Sequence, residues 1–345
     1  MNFIRKIRTS VLLLAGLGLL LAPFTATNLE AKTIKWKLQA VYPSSSPSYE
    51  DSVLVVINKI KERTKGRLDI EAFPANALFP AKEIFNAVKR GLIPIGVTSP
   101  AYMQANIKLA GIAAGVPYSF KRIWEGVYFY KRLGFEDMLR EEFKTHGMFY
   151  ATDRIYQTEL VLKKKVSTYK DFDGLKLRSA GVLQKYFNKL GAAAAYLPGA
   201  EVYPALASGV VEGAHWGAAQ GAYKMGFYDI AKFHLLPAFN ISGTDAWIIN
   251  LKALGKLPKD IQQIIKETLE EHFWWRTNQY AYQEAITLAK AQKEKGVTVV
   301  TLDEKSQQEM TKVAQEMWEL EAQKGPEAKK AIETMKNFLR ELGYL

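Results

Sequence analysis

Apolar residues follow two regular patterns between residues 34 and 97. Where they alternate with polar residues or form a short continuous run they predict strands, and where they recur every three or four positions they predict helices. The predicted order is strand 34–38, helix 49–64, strand 68–73, helix 81–90 and strand 93–97. This alternation is typical of an α/β fold with a largely parallel sheet.

A second group of strands and helices follows in the middle of the chain. Residues 148–151 and 160–162 predict strands that leave the first group. The second group comprises a turn and strand over 170–178, a helix over 182–190, an apolar run over 192–196, a helix over 203–208 and a returning strand at 246–250. The pattern predicts a second α/β lobe.

Helical patterns dominate the C-terminal part of the chain. Pro258 suits the first turn of a helix, and the helical spacing continues to about Lys295. A strand over 297–302 and two helices over 304–324 and 327–342 finish the chain. The long helix carries more aromatic residues than one helical face needs, namely Phe273, Trp274, Trp275, Tyr280 and Tyr282.

Residues 1–31 have the segment order of a secretory signal peptide. Basic residues at positions 5, 6 and 8 precede an apolar run over 11–22, and small and polar residues lead to a predicted cleavage site after Ala31. The apolar run is shorter than the roughly 20 residues of a membrane-spanning helix. We therefore expect export, with an uncleaved membrane anchor as the alternative.

Composition and charge narrow the classes of function. The chain has 345 residues, 48% of them hydrophobic, which suits two globular lobes. It has no cysteine, which excludes disulfides, thiolate metal sites and thiol catalysis. The net charge of +12 fits an anionic ligand, an anionic lipid surface or nucleic acid. Export and the lack of an arginine-rich stripe argue against nucleic acid.

Motifs for catalysis are missing from the sequence. The four histidines, at 146, 215, 234 and 272, do not pair at the spacing of a zinc helix. No phosphate-binding loop or Gly-x-Ser-x-Gly elbow occurs. We therefore predict a binding protein and not an enzyme. The alternatives are a secreted two-lobed hydrolase or lyase with dispersed carboxylates, and a protein that docks on membrane lipids.

Several segments, in this order and spacing, resemble the solute-binding receptors of tripartite ATP-independent periplasmic (TRAP) transporters. They run through nearly the whole chain after the N-terminal segment, at 62–68, 73–78, 83–91, 173–181 and 201–213. Val116-Pro117-Tyr118 and Gln157 resemble the branch of the family that binds 2-oxo acids.

The resemblance implies an α/β, two-lobed fold like that of periplasmic binding proteins, with long C-terminal helices. After the signal peptide at 1–31, the first lobe is expected over 32–155, the second over 156–244, and a return to the first over 245–345. The implied function is a periplasmic receptor that binds a 2-oxo acid or related small monocarboxylate in the interlobe cleft. The receptor would deliver this ligand to a membrane-embedded TRAP permease.

Some relatives in this branch pair through a long C-terminal helix. A homodimer is therefore a hypothesis for this chain. The alternative is that the aromatic helix braces the two lobes of a single molecule, since a helix that is apolar all round is simply buried.

Arg178 matches the family's carboxylate-binding arginine. A guanidinium is always charged, and its planar fork can hold a carboxylate through two parallel hydrogen bonds. Gln157, which lies 21 residues earlier, matches the branch's glutamine and could donate to a carboxylate or keto oxygen. The alternatives are a structural salt bridge for Arg178 and a polar loop position for Gln157.

His215 departs from the family pattern. The branch resembles Glu-Trp here, with the glutamate helping to hold a metal ion that bridges to the ligand, whereas this chain has His215-Trp216. The segment after Pro237 is also short of acids, and Asp245 is the nearest. Because hard cations prefer oxygen ligands, this argues against a bridging cation without excluding it, and we predict no metal or cofactor. His215 is expected to donate directly to the ligand, with a buried structural histidine as the alternative.

Aromatic residues complete the predicted site. Trp216 would cover the apolar part of the ligand and screen the Arg178 contact from water. Tyr102 and Tyr42 each follow a predicted strand, and ligands of open α/β sheets bind at the carboxyl ends of strands. All three aromatic residues could instead belong to the core.

Overall fold

The computed structural model describes residues 33–345, so the predicted signal peptide at 1–31 lies outside the described residues. Within 33–345, no helix is both long enough and apolar enough to cross a bilayer. The strands of this part of the chain form one sheet of nine strands with helices packed around it.

The sheet has the order β2-β1-β3-β8-β4-β7-β5-β6, with β9 paired to β8. The strands are β1 (Ile34–Ala40), β2 (Leu68–Phe73), β3 (Ile95–Thr98), β4 (Met148–Leu162), β5 (Lys176–Arg178), β6 (Ala193–Ala195), β7 (Gly213–His215), β8 (Phe233–Asn250) and β9 (Thr298–Thr301).

The helices follow the predicted order, with additional helices between residues 110 and 145, at 219–224 and at 251–255 that were not predicted from the sequence. They are α1 (Val55–Arg63), α2 (Ile84–Lys89), α3 (Ala110–Ala113), α4 (Ile123–Lys131), α5 (Phe135–Thr145), α6 (Gly181–Lys189), α7 (Gly199–Ser208), α8 (Ala219–Lys224), α9 (Leu251–Gly255), α10 (Lys259–Lys295), α11 (Glu304–Ala322) and α12 (Pro326–Glu341). A π-helical segment, Tyr49–Leu54, leads into α1.

Two long antiparallel strands join two parallel groups of short strands. β1 pairs in parallel with β2 and β3, and β5 pairs in parallel with β6 and β7. Between them, β4 and β8 pair from Met148 opposite Asn250 to Leu162 opposite Phe233. The predicted α/β fold is confirmed, and each group is parallel as expected, but the centre of the sheet is antiparallel.

The predicted strands 148–151 and 160–162 are the two ends of β4, and 246–250 is the end of β8. The middle of both strands escaped prediction because buried polar residues there break the alternation of apolar and polar positions. These polar residues are Thr152, Asp153, Arg154, Thr158, Glu159, Asn240, Ser242, Thr244 and Asp245. The pairing of β4 with β8 also shifts register between Thr152 and Ile155 and again after Tyr156.

Asp153 connects four parts of the fold where the middle of β4 pairs with β8. Its carboxylate accepts from Trp247 Nε1 of β8 at 2.7 Å, from Ser52 Oγ of the π-helical segment at 3.0 Å, and from Arg154 Nη1 at 2.6 Å. His272 Nε2 of α10 lies 3.2 Å away. Burial alone would raise the pKa of Asp153, but the His272 ring and the Arg154 charge hold that pKa well below its usual range.

We expect Asp153→Ala to destabilise the protein by about 3–5 kcal/mol, because it removes a partner from a buried arginine and unpairs the Trp247 indole. Asp137→Ala, which removes a carboxylate 76% exposed on α5, is the control. It should change stability by less than about 0.5 kcal/mol. Urea unfolding followed by tryptophan fluorescence measures both variants. Equal stability of the two variants would contradict the structural role of Asp153.

Candidate functional site

A cavity of about 70 Å³ lies against the middle of β4 and β8. Residues that end or follow β1, β3, β5 and β7 form much of its wall, so it occupies the carboxyl ends of the parallel strands. A buried water needs about 10–15 Å³ by the same measure. The cavity therefore has room for about five waters, or for a small organic acid of a few carbon atoms.

Arg178 is the last residue of β5 and is buried in the cavity wall. Its Nε donates to the Leu197 carbonyl at 3.0 Å, Nη1 donates to the His215 carbonyl at 2.5 Å, and Nη2 donates to the Tyr102 hydroxyl at 3.2 Å. Between residues 33 and 345, no carboxylate oxygen lies within 4.0 Å of this guanidinium, whereas the buried arginines 154 and 276 each have at least one. Most buried charged groups in proteins are paired in that way. The fold therefore holds an oriented positive charge that lacks an anionic partner.

Aromatic rings cover the Arg178 guanidinium. Its central carbon lies 4.9 Å from the centre of the Trp216 ring and 6.0 Å from that of Tyr196. Trp216 packs so closely on the start of α7 that a Cβ at Gly199 would come within 2.1 Å of the indole. Glycine at this position thus allows the ring to lie over the cavity and restrict the access of water to the arginine.

His215, at the end of β7, is neutral at physiological pH. Burial, together with the nearby Arg178 charge, lowers its pKa to about 3. Its Nδ1 lies 2.9 Å from Ser179 Oγ, a contact that fixes the plane of the ring. A neutral imidazole carries one N–H donor and one acceptor nitrogen, so His215 can hydrogen-bond to a ligand without adding charge.

Asp245 and Arg154 form a buried ion pair in the wall. Arg154 Nη1 lies 2.8 Å from Asp245 Oδ2 and 2.6 Å from Asp153, and Nη2 donates to Ser48 Oγ at 2.9 Å. The central carbon of the Arg154 guanidinium lies 4.6 Å from the centre of the Tyr156 ring and 4.9 Å from that of Tyr280. Burial raises the pKa of Asp245, and the Arg154 charge counteracts that shift.

Tyrosine hydroxyls surround the Asp245 carboxylate. The Tyr156 hydroxyl lies 3.5 Å from Asp245 Oδ1. Burial raises the pKa of Tyr42 well above its usual value, and the neighbouring Asp245 charge raises it further. Both tyrosines line the cavity and stay protonated, so each offers a hydroxyl that can donate or accept.

The structure brings most of the predicted residues together at this cavity: Tyr42, Tyr102, Arg178, His215, Trp216 and Asp245. Gln157 is not among the residues that line it. Its neighbours on β4, Tyr156 and Thr158, do line the cavity. Successive side chains on a strand point to opposite faces, which places Gln157 on the other face.

Arg154, Tyr156 and Tyr280 also line the cavity and were not predicted from the sequence. A charged pair, Asp153-Arg154, inside an otherwise apolar stretch was the available signal, because buried charges usually occur in pairs. Tyr280 lies on α10, and nothing in its local pattern separates it from the other aromatic residues of that helix.

Among residues 33–345, no group of three or more histidine, aspartate or glutamate side chains is arranged to hold a metal ion. Among the described residues that line the cavity, Asp245 is the one carboxylate, and it is paired with Arg154.

A second buried polar cluster lies behind Trp216. Glu159 is 2.6 Å from His234 Nε2, and the Tyr228 hydroxyl is 2.7 Å from Nδ1 of the same ring. Glu284 of α10 accepts from the Gln220 backbone N–H through both oxygens, at 3.1 Å and 3.0 Å. Burial, and then the charge of Glu159, raise the pKa of Glu284 to about 8.

We predict that Glu284 makes stability fall as pH rises. In the unfolded chain the Glu284 carboxyl loses its proton above about pH 4.5, whereas in the folded protein it keeps the proton up to about pH 8. The contribution of Glu284 to the free energy of unfolding is therefore full below about pH 4.5 and is lost as the pH rises towards 8. The free energy of unfolding, measured by urea titration at pH 5 and pH 8.5, should fall more in the wild type than in Glu284→Gln. His215 acts in the opposite direction but contributes equally to both proteins. The same pH dependence in both proteins would contradict the assignment.

Comparisons with known proteins agree with this architecture. The family model described as bacterial extracellular solute-binding protein, family 7, matches residues 39–324. A curated relative from a Nostoc species, named monocarboxylate 2-oxoacid-binding periplasmic protein, is 26% identical over 313 residues. That match covers 90% of this chain and 85% of the relative.

Solved structures of TRAP solute-binding proteins have the same fold. One from Pseudoalteromonas atlantica, with bound sodium and pyruvate, has a TM-score of 0.83 and 23% identity, covering 90% of this chain and 95% of its own. A dimeric one from Bordetella bronchiseptica, with calcium and picolinate in one site, has a TM-score of 0.82 and 21% identity, covering 90% and 93%. The predicted resemblance to TRAP receptors is thereby confirmed, and the chain belongs to family 7 of the bacterial extracellular solute-binding proteins.

Proposed function

We propose that this protein is the periplasmic receptor of a TRAP transporter and binds a small monocarboxylate at Arg178 for delivery to a membrane-embedded permease. The observation that carries the proposal is the buried Arg178 guanidinium, which has no carboxylate partner among residues 33–345. An uncompensated buried charge costs several kcal/mol, and a bound carboxylate would remove that cost. The name of the Nostoc relative supports the same class of ligand.

The hydrogen-bond count of Arg178 supports carboxylate binding. A guanidinium has five N–H donors. Three are used by Leu197, His215 and Tyr102, and one N–H remains on each terminal nitrogen. Two neighbouring free donors are what a carboxylate takes in a bidentate contact.

The size of the cavity and its single unpaired arginine favour a small acid with one carboxylate. A dicarboxylate would bring a second negative charge next to Asp245, which already shares Arg154 with Asp153. A sugar acid, with its chain of hydroxyl-bearing carbons, needs more room than a cavity of about five waters offers. The 2-oxo acids and related monocarboxylates fit both limits.

We propose that His215 replaces the cation that accompanies pyruvate or picolinate in the two structural relatives. A neutral imidazole beside Arg178 offers a hydrogen bond without adding charge. A cation at the same place would be repelled by the Arg178 guanidinium and would find nitrogen where hard cations prefer oxygen.

Ligand capture is proposed to close two lobes around a hinge in β4 and β8. The expected lobe boundaries, at 155/156 and 244/245, lie next to the register shifts in the pairing of these strands. Contacts already join the segment before α1 to α8, since Gln220 Nε2 donates to Asp51 at 3.2 Å and Lys224 pairs with Glu50 at 3.3 Å. A ligand that prefers the closed form would shift the equilibrium towards it.

We further propose that α10 both braces one molecule and pairs two copies. Lys131 lies 2.7 Å from Glu270, and Gln220 bonds to Glu284, so the helix contacts distant parts of the chain. Three aromatic side chains on it stay exposed, Trp274 at 45%, Trp275 at 42% and Tyr282 at 63%. Exposed aromatic clusters are typical of interfaces, and a monomeric mass by solution scattering would overturn the pairing.

The protein is proposed to bind without turnover. A guanidinium is always charged, and burial keeps His215 neutral at physiological pH by lowering its pKa to about 3. Neither group is therefore poised to transfer protons at the ligand. Recovery of the bound acid unchanged after long incubation is expected, and its conversion would favour a hydrolase or lyase.

Arg178→Ala should weaken monocarboxylate binding by at least about 30-fold, because truncating one partner of a buried charge pair costs about 2–5 kcal/mol. A thermal-shift panel of 2-oxo acids, 2-hydroxy acids, dicarboxylates and sugar acids selects the ligand, and calorimetry gives its affinity. Arg90→Ala, at an exposed arginine after α2, is the matched control and should bind like the wild type. Unchanged affinity in Arg178→Ala would place the ligand elsewhere.

Removal of metal ions should leave binding intact. Calorimetry with the selected acid, before and after dialysis against a chelator, is expected to give the same affinity within about twofold, while His215→Ala should weaken it about 10-fold through the lost hydrogen bond. Abolition of binding by the chelator would show that a cation does bridge the ligand and that His215 has not replaced it.

A further inference from the structure

Three buried polar groups on the cavity wall have hydrogen-bonding capacity that the protein does not use fully. They are the Tyr42 hydroxyl, Arg154 Nε and Asp245 Oδ2, which make no well-aligned hydrogen bond within the described part of the chain, although the Tyr42 hydroxyl faces the Asp245 carboxylate. Their side chains belong to residues that are 8%, 3% and 1% exposed. Asp245 Oδ2 does lie 2.8 Å from Arg154 Nη1, which is an ion pair that is not aligned as a hydrogen bond. Buried polar atoms of this kind normally have partners, so a ligand atom is the natural candidate.

Resting on the proposed function, we propose that Asp245, Tyr42 and Arg154 form a second polar subsite that selects hydroxy monocarboxylates over oxo acids. The ligand's carboxylate would bind Arg178, and its hydroxyl would bind this subsite. The three groups lie on β8, just after β1 and on β4, so secondary structure fixes their positions.

The mixture of unpaired donors and acceptors is what favours a hydroxyl. Tyr42 and Arg154 Nε can donate to a ligand oxygen, whereas the Asp245 carboxylate only accepts. A hydroxyl group donates one hydrogen bond and accepts others, so it can satisfy Asp245 and a donor at the same time. An oxo oxygen only accepts, and it would bring its lone pairs against the Asp245 carboxylate.

An ammonium group fits this subsite less well than a hydroxyl. It would donate to Asp245, but it cannot accept from Arg154 Nε, and the Arg154 guanidinium on the same wall would repel it. Asp245 is already ion-paired with Arg154, so the carboxylate has less need of a second cation. The structure therefore favours a neutral donor.

Two series of acids of matched size test the selection. The first is lactate, pyruvate, propanoate and alanine, and the second is 3-hydroxybutyrate, acetoacetate and butyrate. Calorimetry on the wild type should show the hydroxy acid of at least one series binding about 10-fold to 100-fold more tightly than its oxo and unsubstituted partners, because a site built for a hydroxyl rejects analogues that lack it. Alanine should bind more weakly than lactate.

Two variants separate the roles within the subsite. Asp245→Asn replaces a carboxylate that only accepts with an amide that can also donate to an oxo oxygen. It should therefore reduce the ratio of hydroxy-acid affinity to oxo-acid affinity at least about fivefold. Tyr42→Phe removes a donor that serves both classes, so it should weaken both and leave the ratio nearly unchanged. Asp69→Asn, at a surface aspartate on β2, is the control and should keep the wild-type ratio. A purely structural effect of Asp245→Asn would weaken both classes equally.

An oxo acid that binds as tightly as the hydroxy acid in both series would overturn this inference while leaving the proposed function in place. Tighter binding of alanine than lactate, or an unchanged ratio in Asp245→Asn, would also overturn it. If no monocarboxylate bound at all, the proposed function itself would fail. Circular dichroism and thermal unfolding of each variant confirm that the comparison is made on folded protein.

Discussion

The unpaired charge of Arg178 is the constraint on which the site depends. The guanidinium is held in the interior by two carbonyl oxygens and one hydroxyl, which orient it without neutralising it. The Trp216 ring restricts the access of water, and burial together with the Arg178 charge lowers the pKa of His215, so that side chain adds no second charge. A site with one oriented cation, neutral hydrogen-bonding neighbours and little free space is complementary to a small anion.

The paired middle segments of β4 and β8 supply the rest of the site. A sheet that continues through both lobes must pass beside the cavity, and the polar residues it carries there serve two purposes. Asp153 links the strands to the π-helical segment and to α10, and Arg154 connects that network to Asp245 on the cavity wall. The stability of the core and the polarity of the cavity are thus coupled through one buried arginine.

Much of the fold was predictable because short strands and helices have simple periodic patterns. Strand ends, where ligands bind in α/β sheets, pointed to Tyr42 and Tyr102, and the resemblance to TRAP receptors pointed to Arg178, His215 and Trp216. All five residues line the cavity. Prediction failed where long-range contacts decide. The middle of β8 reads as a polar loop, yet its backbone pairs with β4 and Asp245 forms an ion pair with Arg154 of that strand. Gln157 lies one position away from the residues that line the cavity. A shift of one residue reverses the face of a strand, and sequence spacing alone does not fix that register.

A crystal structure of the protein with its bound monocarboxylate would show whether Arg178 holds the ligand. Both carboxylate oxygens are expected at about 2.7–2.9 Å from the terminal nitrogens of Arg178, in the plane of the guanidinium. The ring of Trp216 is expected over that contact. A ligand whose carboxylate binds elsewhere, with Arg178 still unpaired or paired with a protein acid, would contradict this role of Arg178.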